Sequence, residues 1–270
     1  MQRNRNIKLF IIISISSIII ICSILFFIIN RHERFLLPII FPDAEIIGKT
    51  NPKIIDFEEK LWLHRVNNID KLKALESIYK GLEIDIIFDD HHEYFYVSHD
   101  PISEPLLSLN DLFENVDDIN SHYFWLDVKN LNSENYHQAF EHLKDLSLKY
   151  ELMPSNIIIE SENPHLLSVF TNFGFITSYY MPTFNPYEID ENDIIKYAKE
   201  IDISLQKSNV NFISTHYLSY HFIKKYFPDS QILMWDTRND WINKFYIEKK
   251  LIKDEKVKVI LIRDKDINEN

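Results

Sequence analysis

The stretch that decides the fold is residues 81–88, which read GLEIDIIF. Its near-continuous apolar run is typical of a strand that is buried on both faces, as in a parallel sheet. Because side chains alternate along a strand, Glu83 and Asp85 project from the same face. Two buried carboxylates need a cation, a proton or hydrogen-bond donors beside them. We therefore predict a core strand that binds a hard divalent ion, Mg²⁺ or Ca²⁺; the alternative is an edge strand with a wet polar face.

Seven more apolar runs share the character of this strand, and helix-like segments separate them. The eight predicted strands are residues 61–65, 82–88, 123–128, 156–160, 175–180, 211–214, 231–236 and 257–262. Predicted helices between them include residues 69–79, 133–149, 191–206 and 217–226. The insertion after the second strand, 89–122, contains a predicted small extra strand at 93–98. Repeated βα units predict the α/β class and a (β/α)8 TIM barrel, with a doubly wound open sheet as the alternative. The sequence has no GxGxxG motif, which disfavours a dinucleotide-binding open sheet.

The N-terminal region differs from the rest of the chain. Residues 9–29 read LFIIISISSIIIICSILFFII and carry no charge over 21 residues, which predicts one transmembrane helix rather than a cleaved signal peptide. The predicted organisation is a short tail at 1–8, the transmembrane helix at 9–29, a proline-containing connector at 30–56 and the barrel domain at 57–270. Arg3, Arg5 and Lys8 precede the helix and favour a cytoplasmic N-terminus, with the barrel on the extracytoplasmic side of the membrane.

The net charge and the cysteine content argue against some classes of function and structure. The 270 residues are 46% hydrophobic and 26% charged, which is ordinary for a globular domain, and the net charge is −12. Such an acidic chain is a poor match for a nucleic-acid backbone, although an anionic substrate can bind if a metal ion supplies positive charge. The single cysteine, Cys22, lies in the apolar N-terminal run, so no disulfide within the chain is available.

Two histidines follow predicted strands. His64 and Arg65 end the first strand, where a titratable base stands beside a fixed cation suited to phosphate. His99 follows the small extra strand, and consecutive strands of βα units are usually neighbours. Two histidines beside a metal-bound anion suit general acid and base catalysis, or a nucleophile and an acid, on a phosphodiester. His91 and His92 are predicted to occupy an exposed turn without a role.

A third carboxylate and a second cation come from the strand at 123–128. Asp127 and Lys129 share one face, so Glu83, Asp85 and Asp127 together predict a three-carboxylate metal site. Lys129 can neutralise a non-bridging phosphate oxygen, or it can form a simple ion pair. Trp235 is either an apolar wall for the substrate or a core residue.

Taken together, His64-Arg65, Glu83-x-Asp85, His99-Asp100-Pro101 and Asp127-x-Lys129 resemble the glycerophosphodiester phosphodiesterase superfamily of TIM-barrel enzymes. Two motifs are most similar to the sphingomyelinase D/phospholipase D and menorin branches of this superfamily: His64-x-Val66-Asn67 and Leu126-Asp127-Val128-Lys129. The motif Met234-Trp235-Asp236-Thr237 gives weaker similarity. The resemblance implies that His64 and His99 are the catalytic pair and that Glu83, Asp85 and Asp127 bind Mg²⁺ or Ca²⁺. It implies phosphate contacts for Arg65 and Lys129. We add Asn67 and Trp235 to the predicted set of substrate- or phosphate-binding residues.

This chain departs from the glycerophosphodiesterase pattern at Val66, where that branch usually has Gly, and at Asp127, where it usually has Glu. The leading hypothesis is a membrane-anchored, metal-dependent phosphodiesterase that cleaves a glycerophosphodiester or a phospholipid headgroup. The sequence leaves open whether the product is linear or a cyclic phosphate. One alternative is a catalytically silent barrel that binds a lipid, a glycan or a partner protein. Another is a glycosidase that uses Glu83 or Glu160 in a carboxylate pair.

Overall fold

The computed structural model describes residues 2–30, 40–101, 107–235 and 250–263, with side chains of the first range described at residues 10–26. The chain divides into two compact units, Met1–Ile40 and Phe41–Asn270. Two residues of the predicted 234–237 motif, Asp236 and Thr237, lie outside the described ranges.

The first unit consists of helix α1, Gln2–Asn30. Its described large apolar side chains, from Phe10 to Phe26, are exposed. Among the residues that the structure describes, no helix combines the length and the apolar character needed to cross a bilayer. The structure therefore does not support the predicted transmembrane helix.

The second unit is built on a closed barrel of eight parallel strands. Its strands are β1 Leu61–Leu63, β2 Gly81–Asp89, β4 Tyr123–Val128, β5 Ile157–Ser161, β6 Ile176–Tyr180, β7 Phe212–His216, β8 Gln231–Trp235 and β9 Val257–Ile262. The sheet runs in the order β1-β9-β8-β7-β6-β5-β4-β2, and pairing of β1 with β2 closes it. One further strand, β3 Tyr94–Val97, is not part of the barrel and pairs antiparallel with β2. The predicted (β/α)8 barrel and the predicted extra strand are thus confirmed, and the open sheet is excluded.

Helices surround this barrel. Those of the described ranges are α2 Ile69–Leu75, α3 Leu109–Glu114, α4 Tyr136–Lys149, α5 Ser168–Phe173, α6 Glu191–Gln206 and α7 Tyr220–Tyr226. Capping side chains fix where several of them begin. The Asn68 side chain accepts a hydrogen bond from the Lys71 amide at the start of α2, and Asp190 caps α6 in the same way. The sequence predicted α2, α4, α6 and α7 but did not predict the six-residue helices α3 and α5.

Large apolar side chains fill the barrel interior below its carboxyl end. Trp62, Trp125 and Phe212 are fully buried there, and Phe57 packs beneath Trp62 with ring centroids 4.8 Å apart. Gly81 permits this packing, because a Cβ at that position would lie 2.0 Å from the Trp62 ring. Within the described part of the barrel interior, the space above this apolar plug lies at the carboxyl ends of the strands, which is where barrel enzymes place their active sites.

Residues 41–56, which the sequence analysis assigns to a connector, form no helix or strand but pack along the outside of the barrel domain. We call this segment the strap. Phe41 makes an edge-to-face contact with Phe222 on α7, at 6.0 Å between ring centroids. The amides of Ile47 and Gly48 donate to Asp202 on α6. The strap thereby ties the entry to β1 to two distant helices.

Candidate active site

Three carboxylates meet inside the barrel at the carboxyl ends of two neighbouring strands. Glu83 and Asp85 point inward from β2, and Asp127 pairs in register with Asp85 across the β2–β4 ladder. One oxygen from each side chain lies within 4.8 Å of the others, and all three side chains are buried. The local cause is the strand pattern itself, since period-2 alternation directs these three residues to the interior.

Burial and mutual repulsion act on this carboxylate cluster. Burial raises the pKa of Glu83 well above its ordinary value, and the charges of Asp85 and Asp127 raise it further. Burial also raises the pKa of Asp127, although Lys129 opposes that effect. Burial also tends to raise the pKa of Asp85. The Lys129 ammonium and the Asn67 amide outweigh this effect and hold the pKa of Asp85 below its usual range. The cluster is therefore a place that favours positive charge.

Lys129 supplies positive charge to this cluster in the structure. Its Nζ lies 2.7 Å from Asp85 Oδ1 and also donates to Asp127 Oδ2. Burial opposes the charged form of Lys129, but the two carboxylates overcome it and raise the pKa of this amine above its ordinary value. The sequence predicts either a phosphate contact or an ion pair for Lys129, and in the structure Lys129 forms ion pairs with Asp85 and Asp127.

The end of β1 brings His64 and Arg65 to the same cluster. Arg65 has a positive φ of 55°, a left-handed conformation that is uncommon for a residue with a side chain. In that conformation its backbone N–H donates to Glu83 Oε2 at 2.6 Å, while its Nε lies 3.8 Å from Asp85 Oδ2. His64 Nε2 lies 3.7 Å from Glu83 Oε2. Burial lowers the pKa of His64 to about 3, and nearby Arg65 and Arg263 contribute.

Asn67 binds Asp85, one of the three carboxylates of the cluster. Its Nδ2 donates to Asp85 Oδ2 at 2.7 Å, and its Oδ1 accepts from the Asp85 amide at 3.0 Å. Both ends of the amide are therefore occupied by one carboxylate residue. The structure shows Asn67 orienting Asp85, a contact different from the predicted substrate or phosphate contact.

His99 reaches the site from the segment that follows β3. The amide of the preceding Ser98 donates to the Asp85 carbonyl at 3.1 Å, which fastens this segment to β2. The His99 side chain is 43% exposed, and its Nδ1 lies 3.2 Å from Asp100 Oδ1. His91 and His92 lie in the exposed turn between β2 and β3, as predicted.

A cleft of about 190 Å³ opens above these residues. Eight of the nine predicted site residues line it: His64, Arg65, Glu83, Asp85, His99, Asp127, Lys129 and Trp235. Trp235 stacks on Tyr180, with ring centroids 5.9 Å apart and planes 10° from parallel. The two rings form a wall of the cleft, and Trp235, which is half-buried, also packs against the barrel core.

Glu160, which the sequence suggests only for the alternative glycosidase function, lies at the floor of this cleft. Glu160 ends the apolar run of β5 and pairs in register with Asp127. Burial raises its pKa well above the ordinary value and Asp127 adds to the rise, whereas Ser214, Lys129 and Trp125 act against it. The sequence feature that could have identified Glu160 as a site residue is its position: it is a carboxylate at the same level as Asp127, on the next strand of the barrel.

The donor set fits a hard divalent cation. Carboxylate oxygens are the ligands that Mg²⁺ and Ca²⁺ prefer, and three of them converge here. Burial and the charge of neighbouring carboxylates raise the pKa of Glu83 and of Asp127. Of the described residues, these three alone form a cluster able to hold a metal. A cation at this position would take over the role of the Lys129 ammonium.

Comparison with known proteins finds similarity at the level of the fold. No family model matches the chain, and no curated protein sequence matches it. A solved glycerophosphodiester phosphodiesterase from Parabacteroides distasonis is similar with a TM-score of 0.53 and 15% identity, covering 75% of this chain and 91% of that one. A Galdieria sulphuraria protein assigned as a glycerophosphodiester phosphodiesterase gives 0.51 and 14%, covering 77% and 94%. The fold implied by the sequence resemblance is therefore confirmed.

Proposed function

We propose that this chain is a metal-dependent phosphodiesterase that cleaves a glycerophosphodiester or a phospholipid headgroup. The observation that carries the proposal is the convergence of three buried carboxylates, two histidines and two cations on one cleft. The fold shared with glycerophosphodiester phosphodiesterases adds support. A surface that only bound a neutral ligand would have no use for this concentration of buried charge.

Glu83, Asp85 and Asp127 would hold the cation. When bound, Mg²⁺ or Ca²⁺ supplies positive charge that stabilises the extra negative charge of a phosphodiester under attack. Asn67 prepares this site, because it fixes the orientation of Asp85 with two hydrogen bonds. The Arg65 backbone amide does the same for Glu83.

Arg65 and Lys129 position the phosphodiester. Both line the cleft and stand beside the carboxylates, where a guanidinium and an ammonium can pair with non-bridging phosphate oxygens. Transfer of Lys129 from Asp85 and Asp127 to the substrate requires that another cation neutralise these carboxylates. Metal binding and substrate binding are therefore coupled through Lys129.

His64 and His99 move the protons. One imidazole attacks phosphorus or takes the proton from an attacking hydroxyl, and the other donates a proton to the leaving alcohol, so that the alcohol departs neutral. If the attacking hydroxyl belongs to the substrate, the product is a cyclic phosphate; if it belongs to water, the product is a phosphomonoester. The exposed His99 is accessible to solvent, whereas His64 is enclosed.

The direct test is phosphodiester cleavage by the full chain in detergent, with products identified by ³¹P NMR. Glycerophosphocholine, lysophosphatidylcholine and sphingomyelin are supplied with Mg²⁺, with Ca²⁺ or with EDTA. We expect metal-dependent turnover that His64→Ala and His99→Ala each reduce by about 10²-fold or more. The matched control, His91→Ala, alters an exposed histidine away from the cleft and should retain activity. Folded wild-type protein without turnover on any substrate would overturn the proposal in favour of a silent binding barrel.

We also propose attachment to a membrane through residues 9–29, with the barrel outside the cytoplasm. This proposal rests on the 21 uncharged residues and on the basic residues that precede them. Membrane fractionation with alkaline carbonate extraction, followed by protease treatment of intact cells, tests both parts. Recovery of the full chain in the carbonate supernatant would refute the anchor.

A further inference from the structure

A buried lysine contacts the chain next to the candidate site. Lys71 lies in the first turn of α2 and is only 2% exposed. Lysine is rarely buried so completely, because its ammonium loses its hydration and must find hydrogen-bond acceptors instead. One acceptor is the backbone carbonyl of His64, which lies 2.8 Å from Lys71 Nζ. This contact links a charged side chain outside the cleft lining to a residue of the site.

The carbonyl belongs to the segment that connects β1 to α2, residues 64–68, which we call the β1–α2 loop. Lys71 binds both ends of this loop. Its ammonium donates to the carbonyl of His64, and its backbone amide donates to Asn68 Oδ1 at 2.8 Å. The side chain of Lys71 therefore closes a loop that carries three of the predicted site residues: His64, Arg65 and Asn67.

The peptide group between His64 and Arg65 is held at both of its polar ends. Its C=O accepts from the Lys71 ammonium at 2.8 Å, and its N–H donates to Glu83 Oε2 at 2.6 Å. A trans peptide is planar, with its C=O and N–H pointing in opposite directions, so a bond that fixes one end also fixes the other. Lys71 and Glu83 thus set the orientation of this peptide from opposite sides.

This orientation is unfavourable for the backbone taken alone. Arg65 has a φ of 55°, in the left-handed region that a residue with a Cβ rarely adopts. Turning the peptide over would return this φ to negative values, but it would point the N–H away from Glu83. The bond from Lys71 opposes that rotation, and a hydrogen bond with a charged donor is among the stronger kinds.

We propose that Lys71 is a positioning residue of the candidate metal site: it holds the His64–Arg65 peptide so that the Arg65 amide stays bound to Glu83. The inference rests on the proposed metal site, in which Glu83 is a ligand. Residues that orient a metal ligand influence affinity without touching the metal. Removal of the Lys71 ammonium should therefore release the amide and weaken cation binding, although all three carboxylates remain.

The test is Lys71→Met, which keeps an unbranched side chain of similar length but removes the donor. Selective ¹⁵N-arginine labelling of the full chain in detergent, without metal, shows the Arg65 amide by NMR, and loss of the signal in Arg65→Lys assigns it. We expect the wild-type proton to resonate far downfield, as a short bond to a carboxyl oxygen requires, and to move upfield in Lys71→Met. Calorimetric titration with Ca²⁺ should then show an affinity about tenfold lower or less than that.

Two further variants separate positioning from a purely structural role. Lys73→Met is the matched control, because it makes the same change two residues along α2, where Lys73 pairs with Glu76 and Asp117. This control should retain the wild-type Arg65 signal and Ca²⁺ affinity. Lys71→Arg keeps a cationic donor and should recover most of the affinity that Lys71→Met loses. A purely structural role would lower Tm in Lys71→Met and leave both readouts at their wild-type values.

A wild-type Arg65 signal together with wild-type Ca²⁺ affinity in folded Lys71→Met would overturn the inference. If Lys71→Met does not fold, Lys71→Gln replaces it, since its amide is polar but too short to make the same contact; the same results are expected. Absence of Ca²⁺ binding by wild-type protein would refute the proposed metal site. The Arg65 signal, which is recorded without metal, would still decide whether Lys71 holds this peptide.

Discussion

Removal of the Lys129 ammonium should destabilise the metal-free protein strongly. In Lys129→Met the aliphatic length of the side chain is largely retained, but Asp85 and Asp127 lose the cation that contacts both of them. Breaking a fully buried ion pair from one side typically costs about 3–5 kcal/mol, because an uncompensated charge is left behind. Since the Lys129 side chain is 24% exposed, we expect the low end of this range, about 3 kcal/mol, which for a domain of this size lowers Tm by roughly 6–12 °C. Urea unfolding and thermal scans in EDTA measure both quantities.

A divalent cation should reverse much of this loss, since it supplies charge at the same carboxylates. We therefore expect Ca²⁺ to raise the Tm of Lys129→Met more than that of wild-type protein. The matched control is Lys149→Met, which breaks the exposed pair with Glu114 and should cost less than about 1 kcal/mol. If Lys129→Met matches this control in EDTA, or if Ca²⁺ stabilises it no more than wild type, the assigned role of Lys129 is refuted.

Two further predictions concern packing and pH. Gly81→Ala should lower the free energy of unfolding by about 3 kcal/mol or more, because the added Cβ would lie 2.0 Å from the Trp62 ring; an unchanged urea midpoint would contradict this account of the barrel interior. Burial, together with Lys250, lowers the pKa of His221 to about 4, so its contribution to stability is complete above pH 6.5 and is lost as the pH falls toward 4. His221→Gln should therefore show a smaller fall in Tm between pH 7 and 5 than wild type, whereas the exposed-site variant His91→Gln should follow wild type.

The barrel was readable from the sequence because parallel strands are buried on both faces. That burial makes each strand a run of apolar residues that stands out from amphipathic helices such as α6. The helices α3 and α5 have only six residues each, fewer than two turns, so they present too little periodicity to detect. The packing of the strap cannot be predicted from its own residues, because its partners Asp202 and Phe222 lie far away in the sequence.

The site, like the fold, has some features that the sequence predicts and others that it does not. Glu83, Asp85 and Asp127 could be placed together because strand alternation and the parallel order determine which side chains share the barrel interior. The positive φ of Arg65, which directs its amide to Glu83, depends on a loop geometry that no residue pattern encodes. The role of Asn67 depends likewise on one pair of hydrogen bonds to Asp85.

The strap has a consequence for how this chain folds during synthesis. Its contacts join Gly48 to Asp202, Ile55 to Gln231 and Asp56 to Lys258, at sequence separations of 154, 176 and 202 residues. Contacts between residues so far apart form late, because the entropy of closing a long loop must be overcome first. Residues 41–56 leave the ribosome early but cannot reach their final partners until nearly the whole barrel has been translated. We expect this segment to be the last part of the domain to gain protection from proteolysis on stalled nascent chains.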